Sequence, residues 1–404
     1  MKMISDYKNT SFQWLDIEKI LIFLYALYTF RGAMLAFDHG GYVPWFETLS
    51  ITVATLCVPI GIIVCFNNLT TEPPNLVLII LPIFYWGLSS LNRYGGYGGS
   101  GLLALSTCSI FVLVSDDTKR RVFTLFYRMF LALAIVSIIV WVCFFLKINI
   151  GFKQELYYFQ PENTREKLYY YRWLLFAIYK SFTGYRLCGV FNEPGALGTL
   201  CALLYICTNK KSTLIEKVIL LITGVLTFSL AFFLLIFMYV AIVFCLNNPR
   251  NIIFIALFAA LFLAIPNIDF HNDALNRTAA RFKITDTGLA GNNRTSVDFD
   301  SEYKEFLKSN DVWFGKGIGY SMGSNNSSWK SHYMVPYGVF GTVGLLGMWF
   351  GAALHYVNGS RDKLIYVCLF MASLYQRPAA IEGILGYVLL LGGLIWMSDD
   401  LTLE

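Results

Sequence analysis

Arginines, a glutamate and a histidine are spaced along this chain in a pattern that suits the handling of an anion. Arg186, Asn192 and Glu193 stand directly ahead of, or open, an apolar run in RLCGVFNEPGALGTLCALLY (186–205). Arg277, Arg281 and Arg294 lie together in one polar stretch farther on, and His332 marks its end in SHYMVPYGVFG (331–341). A guanidinium is a planar fork of donors that matches phosphate oxygens bidentately. A neutral imidazole accepts a proton near neutral pH, and a carboxylate such as Glu193 could do the same or orient the group that does. At a lipid-accessible surface, converging arginines suit a lipid-linked phosphate or diphosphate. With a proton acceptor beside them, they suit transfer from a lipid diphosphate to an alcohol.

Each residue also has a plainer reading. Arg186 fits a snorkelling arginine at a helix end. Glu193 followed by Pro194 fits a helix start, since proline is favoured in the first turn and an acid suits the positive end of the dipole. His332 fits a surface histidine, and the three loop arginines fit solvated charges. Asp298 and Asp300 in DFD resemble a metal-binding pair, but helix capping explains both acids. No metal site and no cofactor is therefore expected. GKGIG (315–319) lacks the strand–helix setting and the final GK[ST] of a phosphate-binding loop.

The elements that must position these residues are greasy. The 404 residues are 56% hydrophobic and only 14% charged, with a mean hydropathy of +0.57, whereas a soluble domain carries roughly 25% charged residues. This is the composition of an all-α polytopic integral membrane protein, built as a single membrane domain over 1–404. Apolar segments long enough for a bilayer, which needs about 20 residues each, predict twelve spans. Their limits are 18–38, 43–66, 76–92, 99–115, 122–146, 194–207, 213–229, 231–247, 251–265, 337–357, 363–376 and 379–397. The first is full length and lacks a small-residue cleavage site, so it reads as an uncleaved anchor.

With the N-terminus inside, the short cytoplasmic loops hold nine basic residues: Lys119, Arg120, Arg121, Lys210, Lys211, Lys217, Arg250, Arg361 and Lys363. The short loops opposite hold two, Arg93 and Arg377. That asymmetry obeys the positive-inside rule, and a net charge of +5 in such loops implies no nucleic-acid partner.

Two longer segments face outward under this topology, 147–191 and 266–336. The first is rich in tyrosine, in LYYF (156–159) and LYYYRWLLF (168–176), and reads as an amphipathic helix on or in the outer leaflet. In the second, DSEYKEFLKS (300–309) reads as a short helix capped by Asp300, with Phe299, Tyr303, Phe306 and Leu307 on one face. Within the spans, Arg31 and Glu47 stand at facing depths and suit an ion pair, while Arg128 suits snorkelling. The nine cysteines, none in a CxxC pair, read as small packing residues.

Three stretches resemble the Wzy-type O-antigen and capsule polymerases, integral membrane glycosyltransferases related to O-antigen ligases. RLCGVFNEPGALGTL (186–200) is similar to the family's R-x-x-G-x-F-x-E-P pattern. LTFSLAFFL (226–234) is similar to its T-x-S segment between adjacent spans. GNNRTSVDFDSEYKEFLKSNDVWFGKGIG (291–319) with SHYMVPYGVFGTVGLLG (331–347) resembles an arginine before a short helix, a glycine-rich turn, then a histidine and a re-entering helix. The family often carries Asn after that histidine, where Tyr333 stands here.

The resemblance implies a GT-C-like fold in the bacterial inner membrane, with a metal-independent site facing the periplasm. Its donor would be a growing glycan on undecaprenyl diphosphate and its acceptor a repeat unit on the same carrier; membrane lipids and a chain-length regulator are the other partners implied. By matching positions, Arg186 and Arg294 would bind diphosphate, joined by Arg277 and Arg281, with Arg277 and Gly288 fitting an R-x10-G spacing. His332 and Glu193 would be catalytic, and Asn192 and Tyr333 would touch substrate. The E-P pair favours a polymerase over a ligase acting on lipid A core; a transporter of lipid-linked oligosaccharide would need more charges along its spans.

Overall fold

The computed structural model describes residues 17–30, 44–69, 80, 83, 87, 99–158, 167–181, 184–191, 193–271, 276, 279–280, 283–285, 288–289, 297–320, 328–378 and 383–398. The chain is mostly helical. Helices α1 (17–29), α2 (Pro44–Leu69), α3 (Gly99–Leu113) and α4 (Asp116–Phe145) come first. Four strands follow: β1 (Lys153–Tyr158), β2 (Lys167–Trp173), β3 (Phe176–Ser181) and β4 (Gly184–Gly189). Then come α5 (Pro194–Thr208), α6 (Leu214–Leu226), α7 (Leu230–Asn247) and α8 (Ile252–Ala264). A two-residue ladder, β5 (Ile284–Thr285) with β6 (Gly288–Leu289), precedes α9 (Val297–Phe306). The last three helices are α10 (Lys330–Val357), α11 (Arg361–Ser373) and α12 (Ile384–Ser398).

Among the described residues, four helices are long and apolar enough to cross a membrane: Thr48–Phe66, Asp116–Phe145, Leu230–Asn247 and Lys330–Val357. Shorter apolar helices accompany them at Leu102–Leu113, Pro194–Thr208 and Ile384–Ser398. Their outer surfaces stay apolar: Phe66, Ile139, Val240, Phe244 and Val343 are all exposed. A helix hydrophobic on every side needs either a core or a lipid around it. The expected third span, 76–92, lies mostly outside the described residues.

Local chemistry sets the helix ends. Ser115 caps α4 by accepting from the Thr118 amide at 3.1 Å, with Asp116 and Asp117 in the first turn. Thr213 and Glu216 form a reciprocal capping box on α6. The long apolar stretch from α6 to α7 is broken at Phe228, whose φ of 45° ends one helix before Ser229 starts the next.

One end of the bundle is tied by basic residues. Lys119 Nζ meets Asp116 at 3.0 Å, and the Tyr356 hydroxyl donates to the same carboxylate at 3.1 Å. Lys363 Nζ donates to the Tyr356 carbonyl at 2.9 Å, Lys211 Nζ to the Trp396 carbonyl at 2.7 Å, and Lys210 pairs with Asp362. These lysines come from the loops expected to share a side, and Arg377 lies past the far end of α11. Arg128 is exposed; Arg31 lies outside the described residues, as does the side chain of Glu47.

The tyrosine-rich segment departs from expectation. Where an interfacial helix was read over 147–191, the chain forms an antiparallel sheet in the order β1-β2-β3-β4, so the protein is not all-α. Aromatic side chains fit a pleated, half-buried surface. Here Tyr171 pairs with Ile178 and Ile178 with Leu187 across the ladder. That face leans on the end of α4, where Phe144 lies 4.9 Å from both Tyr171 and Tyr185.

The short helix α9 begins three residues before the expected cap, at Val297. Asp300 is therefore inside its first turn and pairs with Lys330 at 3.6 Å instead of capping. Phe299, Tyr303 and Phe306 are buried against Val335 as a small second core, and Leu307 is exposed.

Candidate functional site

The end of the bundle opposite the lysines gathers four elements. The first is the junction between β4 and α5. Glu193 is the N-cap residue of α5 and Pro194 its first residue, so the helix-start reading of this pair holds. The Glu193 side chain makes no cap bond, because both of its oxygens are taken by an arginine. That arginine is Arg377, whose two terminal nitrogens meet the two carboxylate oxygens, the second at 3.0 Å. Glu193 therefore fixes a guanidinium, that of Arg377.

A glycine makes this approach feasible. A Cβ on Gly195 would lie 2.1 Å from an Arg377 terminal nitrogen. The Arg377 side chain is 17% exposed and that of Glu193 is 39% exposed, so the guanidinium is largely shielded while the carboxylate stays partly open to water. Among the described residues the buried Arg377 Nε has no hydrogen-bond partner.

Arg186, on β4, reaches the second element, the break between α6 and α7. Its Nε donates to the Thr227 carbonyl at 2.9 Å and a terminal nitrogen to the Phe228 carbonyl at 3.1 Å. Helix-end carbonyls have no intrahelical donor, so a guanidinium here completes the end of α6. Thr227 turns its hydroxyl onto the Gly224 carbonyl at 2.6 Å, and the Ser229 amide donates to that hydroxyl at 3.2 Å. A Cβ on Gly198 would lie 2.7 Å from both Ser229 Cβ and Thr227 Oγ1, which explains how closely α5 approaches the break.

The third element is the start of α10. Lys330–Met334 forms a π-helical turn carrying His332 and Tyr333, and such turns recur at functional sites. His332 is half-buried. Tyr333 is 1% exposed and donates its hydroxyl to the carbonyl of Pro378, next to Arg377. Tyr333 was expected to touch substrate; its ring is instead part of the frame that holds the Arg377 segment, the fourth element.

GKGIG has a structural use. Lys316 and Gly317 donate their amides to the carbonyls of Val335 and Pro336 at 2.7 and 3.0 Å, and Phe340 donates back to Trp313 at 3.1 Å. Gly338 has φ +67° inside α10, and a Cβ there would lie 2.5 Å from the Phe314 and Gly315 amide nitrogens. The glycines let two backbones touch.

Electrostatics links Arg186 and Glu193. The Cys188 thiol between them is pushed up by burial, pulled down by the Arg186 charge and pushed up again by Glu193. Arg277, Arg281, Arg294 and Asn192 lie outside the described residues. Sequence reasoning missed Arg377, counted only as a loop charge; its place directly before a proline at the mouth of the last span was the available signal. Among the described residues no group of three His, Cys, Asp or Glu side chains is placed to hold a metal ion. Comparison of the chain with protein-family models, curated proteins and solved structures finds no match.

Proposed function

We propose that the chain is a glycosyltransferase of the O-antigen or capsule polymerase kind, spanning the bacterial inner membrane about twelve times with a GT-C-like arrangement. It moves a growing glycan from undecaprenyl diphosphate to the next repeat unit on the same carrier, at the periplasmic face and without a metal. The observation that carries this reading is a run of contacts joining the three resembling stretches at one end of the bundle. It passes from Thr227 and Phe228 to Arg186, along the chain to Glu193, then through Arg377 and Pro378 to Tyr333.

In this scheme Arg186 offers its charge to the diphosphate at the rim of the α6–α7 break, with Arg294, Arg277 and Arg281 supplied by the outer loop. A fixed cation stabilises the charge that develops on the leaving diphosphate, and more strongly as water is excluded. His332, on a turn held by the Tyr333 contact, takes the proton of the attacking sugar hydroxyl. Glu193 acts through Arg377 as a positioning residue, since both its oxygens are engaged by that guanidinium.

Purified full-length protein in bilayer discs, given an undecaprenyl-diphosphate-linked repeat unit with neither metal nor nucleotide, is expected to form longer chains. Arg186→Ala and Arg294→Ala should each abolish elongation, and Lys should restore little because the fork of donors is lost. A product that stays at one unit refutes the polymerase. Wild-type rates in both Ala variants place the diphosphate elsewhere.

A further inference from the structure

Building on that reading, we propose that the sheet face carrying Tyr170, Tyr179 and Arg186 is a sugar subsite for the ring joined to the lipid diphosphate. Tyr170 pairs with Tyr179, and Tyr179 with Arg186, across the ladder. Directly opposed residues share a face, so the three form a row across β2, β3 and β4. Two strand spacings set the length of that row at about 10 Å, comparable to a sugar ring with its phosphate. The two rings lie 5.2 Å apart, tilted by 40°, and both are half-buried. At their foot lie two small, fully buried side chains, Ala177 and Cys188. Arg172, opposite Ala177, brings a second guanidinium to the same face.

On the other face Tyr171 and Tyr185 pack on Phe144 of α4, whereas Tyr170 and Tyr179 pack on the small side chains of Ala177 and Cys188. Arg186 also reaches out of the row to the α6–α7 break, where the apolar side chain of Phe228 is exposed.

An apolar surface, then a guanidinium, then a pair of rings follow one another in space. The same order runs along a lipid-linked sugar, as hydrocarbon, diphosphate and pyranose. The C–H face of a pyranose is electropositive and packs on the negative face of an aromatic ring, and the Arg186 guanidinium matches the anion beside it. An ordinary anionic phospholipid has the first two groups and no ring to fill the third place.

The test measures binding of two probes to the full-length protein in neutral bilayer discs: bare undecaprenyl diphosphate, and the same lipid bearing N-acetylglucosamine. Wild type should bind the sugar-bearing lipid about tenfold more tightly, the order expected of one or two ring contacts. Tyr179→Ala and Tyr170→Ala should erase that preference while leaving affinity for the bare lipid unchanged, and Tyr179→Phe should keep it. Unchanged preference in both Ala variants overturns the subsite, as does equal loss of both probes, which marks the tyrosines as lipid anchors or as structural. Equal binding of both probes by wild type removes the subsite but leaves the diphosphate site standing. Binding of neither probe removes the polymerase reading, and the subsite with it.

Discussion

Replacing Arg377 by Ala takes a bidentate guanidinium away from the Glu193 carboxylate. Stripping the partner from a fully buried ion pair costs about 3–5 kcal/mol, while exposed pairs contribute about 1 kcal/mol or less. With side chains 17% and 39% exposed and bidentate contact, the pair lies between these limits, at about 2 kcal/mol for Arg377→Ala. Glu193→Gln keeps one acceptor oxygen and the shape, and should cost about 1 kcal/mol, the worth of one hydrogen bond. The two residues act through each other, so the double variant should cost no more than Arg377→Ala alone. That leaves a coupling of about 1 kcal/mol in a double-mutant cycle. The assay is the unfolding midpoint of the full-length protein in mixed micelles titrated with sodium dodecyl sulfate. Arg377→Lys, which cannot reproduce the fork, should recover less than half of the loss. Additive single costs would refute the reasoning, because they mean that the two side chains do not meet in the folded protein.

Gly338→Ala sets a Cβ 2.5 Å from two backbone nitrogens at a left-handed φ, and should lower stability by about 3 kcal/mol. Gly347→Ala, with nothing within 4 Å, should be neutral or mildly stabilising in the same titration. Tyr333→Phe removes the hydroxyl bonded to Pro378 and should cost about 1 kcal/mol; a larger fall in elongation than in stability would show that the Arg377 segment must be held for chemistry. Asp269 is held below the ordinary carboxylate range, first by the Asn276 side chain and then by the His271 amide. Its contribution to loop order is present above its unfolded pKa and is lost as pH falls through the lowered folded value. Asn276→Ala should raise the Asp269 pKa, as read by NMR titration; an unmoved value means the contact is not made in solution.

How much of this was legible depended on the range of the interaction. The membrane class followed from composition alone, since a chain this apolar cannot cover itself with polar side chains. Glu193–Pro194 announced the start of α5, and the break at Phe228 fell one residue before the end of the expected span 213–229. The sheet was hidden for a local reason. Its β2–β3 turn is Leu174–Leu175, with Leu174 at φ 50°, whereas sequence signals a two-residue turn through Asn or Gly. A run of tyrosines has no period that separates strand from interfacial helix.

The partners of the charged residues were beyond reach of any sequence pattern. Arg377 is 184 residues from Glu193, and the carbonyls that Arg186 caps are 41 and 42 residues away. Composition and spacing determine which segments become helices and where costly charges sit along them. Which guanidinium meets which oxygen is decided by packing: helix ends must converge within about 3 Å for a charged hydrogen bond, and glycines at 195 and 198 clear the space for it.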